Sequence, residues 1–232
     1  MNKVNDCYTP NDVMMMLHNI TPSNSVYYQV QKLQEGISEK VIAKDEFKEP
    51  IRNVCAVDVS YRNDLAYCST VVVKKDSLEV LESVNVRCKV NYPYIPGLFL
   101  LREYEPIMNA VGLLKEKFDL LLVDGHGQLH PRRCGLACSI GVALSKPTIG
   151  VAKSLLCGTI RADHLIELDG QILGVMIGKN AKKPLYVSVG HKVSLKTAEK
   201  IVRELIVDDK SMPQPLLVAH INSKRLAKKE QP

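Results

Sequence analysis

The 232-residue sequence contains no C-x-x-C pair, and its seven cysteines, an odd number, are scattered at Cys7, Cys55, Cys68, Cys88, Cys134, Cys138 and Cys157. That pattern excludes a paired-cysteine zinc or redox motif and a disulfide framework, and it points to a reduced compartment. Cys134 and Cys138 stand one helical turn apart, but with no second Cys or His pair beside them packing is their expected role. Long apolar runs are missing too: Leu98–Leu101 and Leu120–Val123 fall far below the roughly 18 to 20 residues that span a bilayer. Only Lys3 is positive near the N-terminus, and Val13–Leu17 is too short for a secretory core, so a cytoplasmic protein is expected. Repeats and low-complexity tracts are absent. With 46% apolar and 24% charged residues, the chain reads as an ordinary globular protein able to bury a sizeable core. Residues 1–170 also lack any cationic surplus, holding 19 Lys/Arg against 20 Asp/Glu, whereas residues 171–232 hold 12 against 5. The whole net charge of +6 therefore arises in the last quarter, as a polyanion partner or a merely solvated basic face would require.

What is present has a clear order. Thr9-Pro10-Asn11-Asp12 predicts a helix start, and Val26, Val30, Leu33 and Ile37 predict a second helix capped by Ser23 or Ser25. From Asn53 the period changes to two, with Cys55, Val57, Val59 and Tyr61 on one face of a strand and Ala56, Asp58 and Ser60 on the other. Turns at Arg62-Asn63-Asp64 and Lys74–Ser77 divide this segment from Ser69–Val73 and Leu78–Val90, predicting a three-stranded antiparallel meander. Tyr92-Pro93-Tyr94-Ile95-Pro96-Gly97 forbids regular structure, and a helix is predicted to begin near Pro106 after a short piece over Leu98–Glu103. Phe118–Val123 reads as a strand buried on both faces. A helix over Cys134–Leu144, strands at Thr148–Val151, Leu173–Ile177 and Leu185–Val189, and a helix from Ser194 to about residue 206 follow. The expected fold is α/β, a mixed sheet flanked by helices.

Asp58 lies mid-strand and Asp124 ends a buried strand, where open α/β sheets bind ligands. Either could simply be hydrogen-bonded by its own turn, but two such carboxylates on core strands favour a divalent cation, Mg²⁺ or Mn²⁺. Glu103 alone reads as a first-turn helix acid; beside the other two it would complete a cation cage. The loop from Gly125 to Arg133 joins permissive backbone to His126, His130, Arg132 and Arg133, a chemistry suited to phosphate. Lys153 follows a strand and could bring an ammonium to the same place.

In order and spacing, Asp58-Val59-Ser60-Tyr61, Pro93-Tyr94-Ile95-Pro96-Gly97 with Arg102-Glu103, Val123-Asp124-Gly125-His126-Gly127 through His130-Pro131-Arg132-Arg133, and Pro147–Leu155 resemble the endonuclease V family over nearly the whole chain. The resemblance implies a ribonuclease H-like fold, in a single catalytic domain over residues 1–232 with a helical N-terminal segment to about residue 50. It implies a deoxyinosine 3′ endonuclease of DNA repair that uses Mg²⁺, with Mn²⁺ as substitute, and acts as a monomer on inosine-containing DNA or RNA. The cut falls at the second phosphodiester bond 3′ to hypoxanthine and leaves a 3′-hydroxyl and a 5′-phosphate. By the same resemblance, Asp58, Glu103 and Asp124 are the acidic metal cluster, with Lys153 and His130 assisting catalysis. Tyr94 is the wedge for the displaced base, held by Pro93, Ile95 and Pro96. Gly97, Gly125, His126 and Gly127 would wall the base site, and Arg132 and Arg133 would contact the strand. His220 keeps the position of a metal neighbour after Pro213-Gln214-Pro215, although Leu216-Leu217 stands where the family tends to show Thr-Arg. A non-catalytic inosine-binding protein, a junction-cutting nuclease of the same fold and a small-molecule phosphatase are the rival readings.

Overall fold

The computed structural model of the chain describes residue 11 and residues 13–15, 24–178, 183–207 and 212–229. Residues 11 and 13–15 are helical, while Thr9, Pro10, Asp12, Ser23 and the side chain of Ser25, which carry the expected helix starts, lie outside the described residues. Helix α1 (Asn24–Ser38) buries Val26, Val30, Leu33 and Ile37, the stripe its spacing requires.

Strands β1 (Asn53–Arg62), β2 (Leu65–Lys74) and β3 (Val80–Lys89) form the antiparallel meander, with Asn63 at positive φ in the tight turn between the first two. Helix α2 (Leu100–Gly112) then leads to β4 (Leu120–Asp124), which lies parallel to β1. Helix α3 (Leu136–Leu144) leads to β5 (Thr148–Ala152), parallel to β4. Four further strands follow, β6 (Thr159–Ile160), β7 (Leu165–Leu168), β8 (Gln171–Ile177) and β9 (Leu185–His191), giving one sheet in the order β3-β2-β1-β4-β5-β9-β8-β7-β6. Helices α4 (Leu195–Glu204) and α5 (Gln214–Lys229) close the described chain, and Ser194 caps α4 by accepting from the Thr197 amide. Among the described residues no helix is long and apolar enough to cross a membrane.

Alternation within the central strands divides the core in two. Cys55, Val57, Leu121 and Val123 join α1, α2 and α3 on one face, while Val54, Ala56, Leu120 and Leu122 join α4 and α5 on the other. This is why β4 is apolar at every position before its final aspartate: both of its faces are covered. By the same parity Asp58 and Asp124 point to the α5 side, and Tyr61 points to the α2 side.

The fold departs from the sequence reading in three places. The segment expected to break at Pro106 is one helix, α2, with the proline inside it. Leu100, Tyr104, Ile107 and Val111, from both halves, are buried in the same core, and that burial outweighs the roughly 3 kcal/mol an interior proline costs. The short pair β6–β7 was not anticipated. Nor was α5, whose buried ridge of Ala219, Ser223 and Ala227 is too small and too polar to register as an apolar period.

The turn after β4 is seated by contact: a Cβ on Gly150 of β5 would lie 2.5 Å from the Gly127 amide nitrogen and 2.7 Å from the Gly125 carbonyl oxygen. Gly150→Ala is therefore expected to lose about 1 to 3 kcal/mol of stability in urea denaturation, because backbone must move to admit the methyl. Gly112→Ala, where a Cβ meets nothing within 4 Å, serves as the comparison and is expected to be neutral or slightly stabilising.

Candidate active site

Register brings the two aspartates together. Val57 of β1 pairs with Val123 of β4, so the next residue of each strand, Asp58 and Asp124, emerges side by side at the carboxyl ends of parallel neighbours. Helix α5 crosses β1 and β2 above them and lowers His220 onto the pair, with Nδ1 3.2 Å from Asp58 Oδ1. Ligand atoms of Asp58, Asp124 and His220 all lie within 4.8 Å of one another. Lys153, just past β5, contacts Asp124 Oδ2 and stands 3.8 Å from Asp58 Oδ1.

The electrostatics call for a cation. Burial and the neighbouring Asp58 raise the Asp124 pKa above the usual carboxylate range, against the pull of Lys153. Burial, helped by the charges of Asp124 and Asp58, pushes Glu103 up to about 8, although Tyr61 donates to its Oε1 at 2.9 Å. The His220 imidazole is shifted down by burial and by Lys153 and Lys224, which keeps it neutral and able to offer a lone pair. Two carboxylates and a neutral imidazole around one point suit a hard or borderline divalent ion, so this donor set fits such a metal.

Beside this cluster lies a cavity of about 380 Å³, bounded by Tyr94, Pro96, Gly97 and Phe99 on one side and by Asp124, Gly125, His126 and Lys153 on the other. Tyr94 stands 59% exposed at its mouth, its ring tilted against Phe99 at 5.2 Å. The loop carrying it is held at its base by one carbonyl. Gly97 O accepts from Gln34 Nε2 at 3.1 Å, from His130 Nε2 at 3.0 Å and from Arg132 Nη2 at 2.8 Å. Gly97 has φ +78, which favours glycine, and a Cβ there would sit 3.3 Å from the Arg132 guanidinium.

The family model for Endonuclease V matches residues 35–221. Endonuclease V of Thermofilum pendens is 38% identical over 212 residues, spanning 89% of this chain and 91% of that protein. The chain belongs to the endonuclease V family. Endonuclease V of Dictyoglomus thermophilum is 40% identical, covering 86% of this chain and 90% of its own. Among solved structures, endonuclease V of Streptomyces avermitilis superposes with a TM-score of 0.82 at 27% identity, over 91% of this chain and 96% of that one. Endonuclease V of Ciona intestinalis, in complex with a 24mer DNA containing an inosine, gives 0.81 at 28% identity, over 90% and 100% of the two chains. As a member of that family the chain is a nuclease, and the family is metal-dependent and acts in DNA repair.

Within that frame the expected site residues take different places. Asp58, Asp124, His220 and Lys153 converge, and Tyr94, Pro96, Gly97, Gly125 and His126 line the cavity. Pro93 and Ile95 do not line it; Ile95 packs into the α1–α2 core and anchors the loop. Gly127 sits behind the cavity, its N–H donating to Ser188 Oγ. Glu103 comes from α2 and accepts from Tyr61; it is not one of the three ligand atoms within 4.8 Å of one another, but it lies within reach of the charges of Asp58 and Asp124. His130 also lines the cavity, and it, Arg132 and Arg133 each have protein partners. His130 is held neutral, its pKa lowered to about 4 by burial, with Nε2 on Gly97 O and Nδ1 accepting from the Arg132 amide. Arg132 donates from Nε to Gln34 and from Nη2 to Gly97. Arg133 donates to the Leu168 carbonyl, Gln171 and Asp169. His126 turns Nε2 to the Ser154 carbonyl, and its buried Nδ1 has no hydrogen-bond partner among the described residues.

Two participants escaped the sequence reading. Gln34, fully buried, binds Gly97 O, the Cys134 carbonyl and Arg132, joining α1 to both loops. Its sequence signal was a lone amide within the apolar stripe of α1. Tyr61 was seen only as the inner face of β1.

Because the folded-state pKa of Glu103 lies at about 8 against 4.5 for an ordinary glutamate, its protonation supports the metal-free fold below pH 4.5, and that support is lost as pH rises through 8. In EDTA, Glu103→Gln, which keeps an acceptor for Tyr61, is expected to match the parent at pH 4.5 and to exceed it at pH 8. The gain in urea denaturation should be more than about 1.4 kcal/mol, the value of one pKa unit.

Proposed function

We propose that this protein hydrolyses the second phosphodiester bond 3′ to hypoxanthine in inosine-containing strands, leaving a 3′-hydroxyl and a 5′-phosphate, with Mg²⁺ as the working ion and Mn²⁺ as a substitute. The observation that carries this reading is the meeting of Asp58, Asp124 and His220 beside a cavity fronted by an exposed tyrosine.

Each residue then has a task its surroundings support. Tyr94, on a loop stiffened by Pro93 and Pro96, fills the space left when the target base leaves the stack, which offsets an unstacking cost of a few kcal/mol. The donors converging on Gly97 O keep that loop from yielding as the strand bends. Gly125 and His126 offer the displaced base a wall of the cavity. Asp58, Asp124 and His220 would hold the divalent ion, which would supply Lewis-acid polarisation of the scissile phosphate. Lys153 Nζ, resting on Asp124, is the ammonium nearest the growing phosphate charge and donates to it during in-line attack. Glu103, near enough for the charges of Asp58 and Asp124 to raise its pKa, is a third carboxylate available beside the ion. The complex of the Ciona intestinalis relative with inosine-containing DNA supports the choice of substrate.

The test is to map the break in end-labelled DNA and RNA strands carrying one inosine, with Mg²⁺ present. A single break one linkage beyond the inosine's own 3′ phosphodiester is expected, and Asp124→Asn is expected to lower its rate at least about 100-fold. Tight inosine binding without nicking in either ion would replace this reading with a binding protein, and a break at branched junctions alone would replace it with a junction nuclease.

A further inference from the structure

Helix α5 rests on β1 and β2 through a ridge of residues spaced by four: Ala219, Ser223 and Ala227. Alanine suffices at the two outer positions, so close approach of helix to sheet needs only a small side chain. At the middle position the chain carries a hydroxyl that is completely buried. Burying it would cost stability unless it is hydrogen-bonded, so packing does not account for its presence.

Its partners do. Ser223 Oγ is in short contact with Asp58 Oδ2, lies 2.8 Å from Ser60 Oγ, and stands 3.1 Å from the His220 carbonyl. A helical serine commonly falls back on such an upstream carbonyl, but an ionised carboxylate is the stronger acceptor. A serine has one proton to donate and a carboxylate only accepts; Ser223 therefore donates to Asp58 Oδ2 and accepts from Ser60. The result is a relay of two hydroxyls that leaves β1 at Ser60, passes through α5 and returns to β1 at Asp58. The other oxygen, Asp58 Oδ1, faces His220 Nδ1 at 3.2 Å and Lys153 Nζ at 3.8 Å.

We infer that Ser223 is a positioning residue for the metal site: by donating to Asp58 Oδ2 it fixes the carboxylate so that Oδ1 stays turned toward His220 and Asp124. The inference rests on the reading that Asp58 holds the divalent ion. His220 and Ser223, three residues apart on one helix, take the two oxygens of one carboxylate, so a single element sets both the imidazole and the orientation of the acid it works beside. Ser60 serves the same end one step removed, by filling the lone pair of Ser223 that would otherwise be unpaired. Partners that orient metal-binding carboxylates commonly carry a 10- to 100-fold share of metal affinity, roughly the scale expected for Ser223.

The experiment is a Mn²⁺ titration of the full chain, following the free-ion signal by electron paramagnetic resonance, for the parent, Ser223→Ala and Ser60→Ala. Ser223→Ala is expected to raise the Mn²⁺ dissociation constant about 10-fold. Ser60→Ala should move it less in the same direction, and nicking by Ser223→Ala should recover as Mn²⁺ is raised toward saturation. Should the alanine variant fail to fold, Ser223→Cys, of nearly the same shape but a weaker donor, is read in its place with the same direction expected. If the parent binds Mn²⁺ and the Ser223 variant binds it equally well, this inference is overturned while the metal site stands. If the parent binds no Mn²⁺, the underlying reading of the site falls instead.

Discussion

Two carboxylates on adjacent parallel strands, facing the same side of the sheet and mostly withdrawn from water, form an arrangement that repels itself, and the rest of the site is organised around that repulsion. The register of β1 on β4 makes their proximity unavoidable, since Val54 to Val57 and Leu120 to Val123 before them are each committed to one of two cores. In the metal-free chain Lys153 supplies part of the missing positive charge, and Asp124 holds its proton more tightly than an exposed aspartate would. A divalent ion held by the same residues would relieve that repulsion more completely. Affinity for the ion and reluctance to ionise without it have one cause.

Around this pair the chain builds from both sides of the sheet. On one side α5 presses His220 and Ser223 onto Asp58; on the other α2 presents Glu103 to Tyr61 of β1. The loop with Tyr94 is fastened separately, through Gly97 O, to a buried network of Gln34, His130 and Arg132. Three donors on one carbonyl tie α1, the wedge loop and the loop after β4 into one body. An exposed aromatic ring can do mechanical work on a strand only when its base is immobile, and this network supplies the immobility. The cations that the loop after β4 brings also help to hold the protein's own shape.

The sheet was legible because alternation in β1 and the unbroken apolar run of β4 follow directly from covering one or two faces. The same alternation put Asp58 and Ser60 on one face before any coordinates, and Asp124 stood out as the polar end of an apolar strand. Less legible was anything that depends on small residues or on partners far away in the chain. Helix α5 hides its buried ridge behind Ala and Ser, so His220 could be placed by motif but not by geometry. Pro106 looked like a boundary because local propensity cannot weigh the tertiary burial on either side of it. Gln34 looked like an interruption of a stripe, when its amide is the hub of the loop network. Arg132 and Arg133 looked like phosphate ligands because sequence shows how many donors a loop carries, never which acceptors already claim them.

The central claim is that Asp58, Asp124 and His220 together hold a divalent cation, in the place where Lys153 now offsets the charge of Asp124. Crystals grown with Mn²⁺ and measured at the manganese absorption edge test it directly, because anomalous scattering locates the ion without reference to any assumed ligand. The account predicts an anomalous peak within ligand distance of both aspartates and of His220. Manganese bound elsewhere on the chain would contradict it.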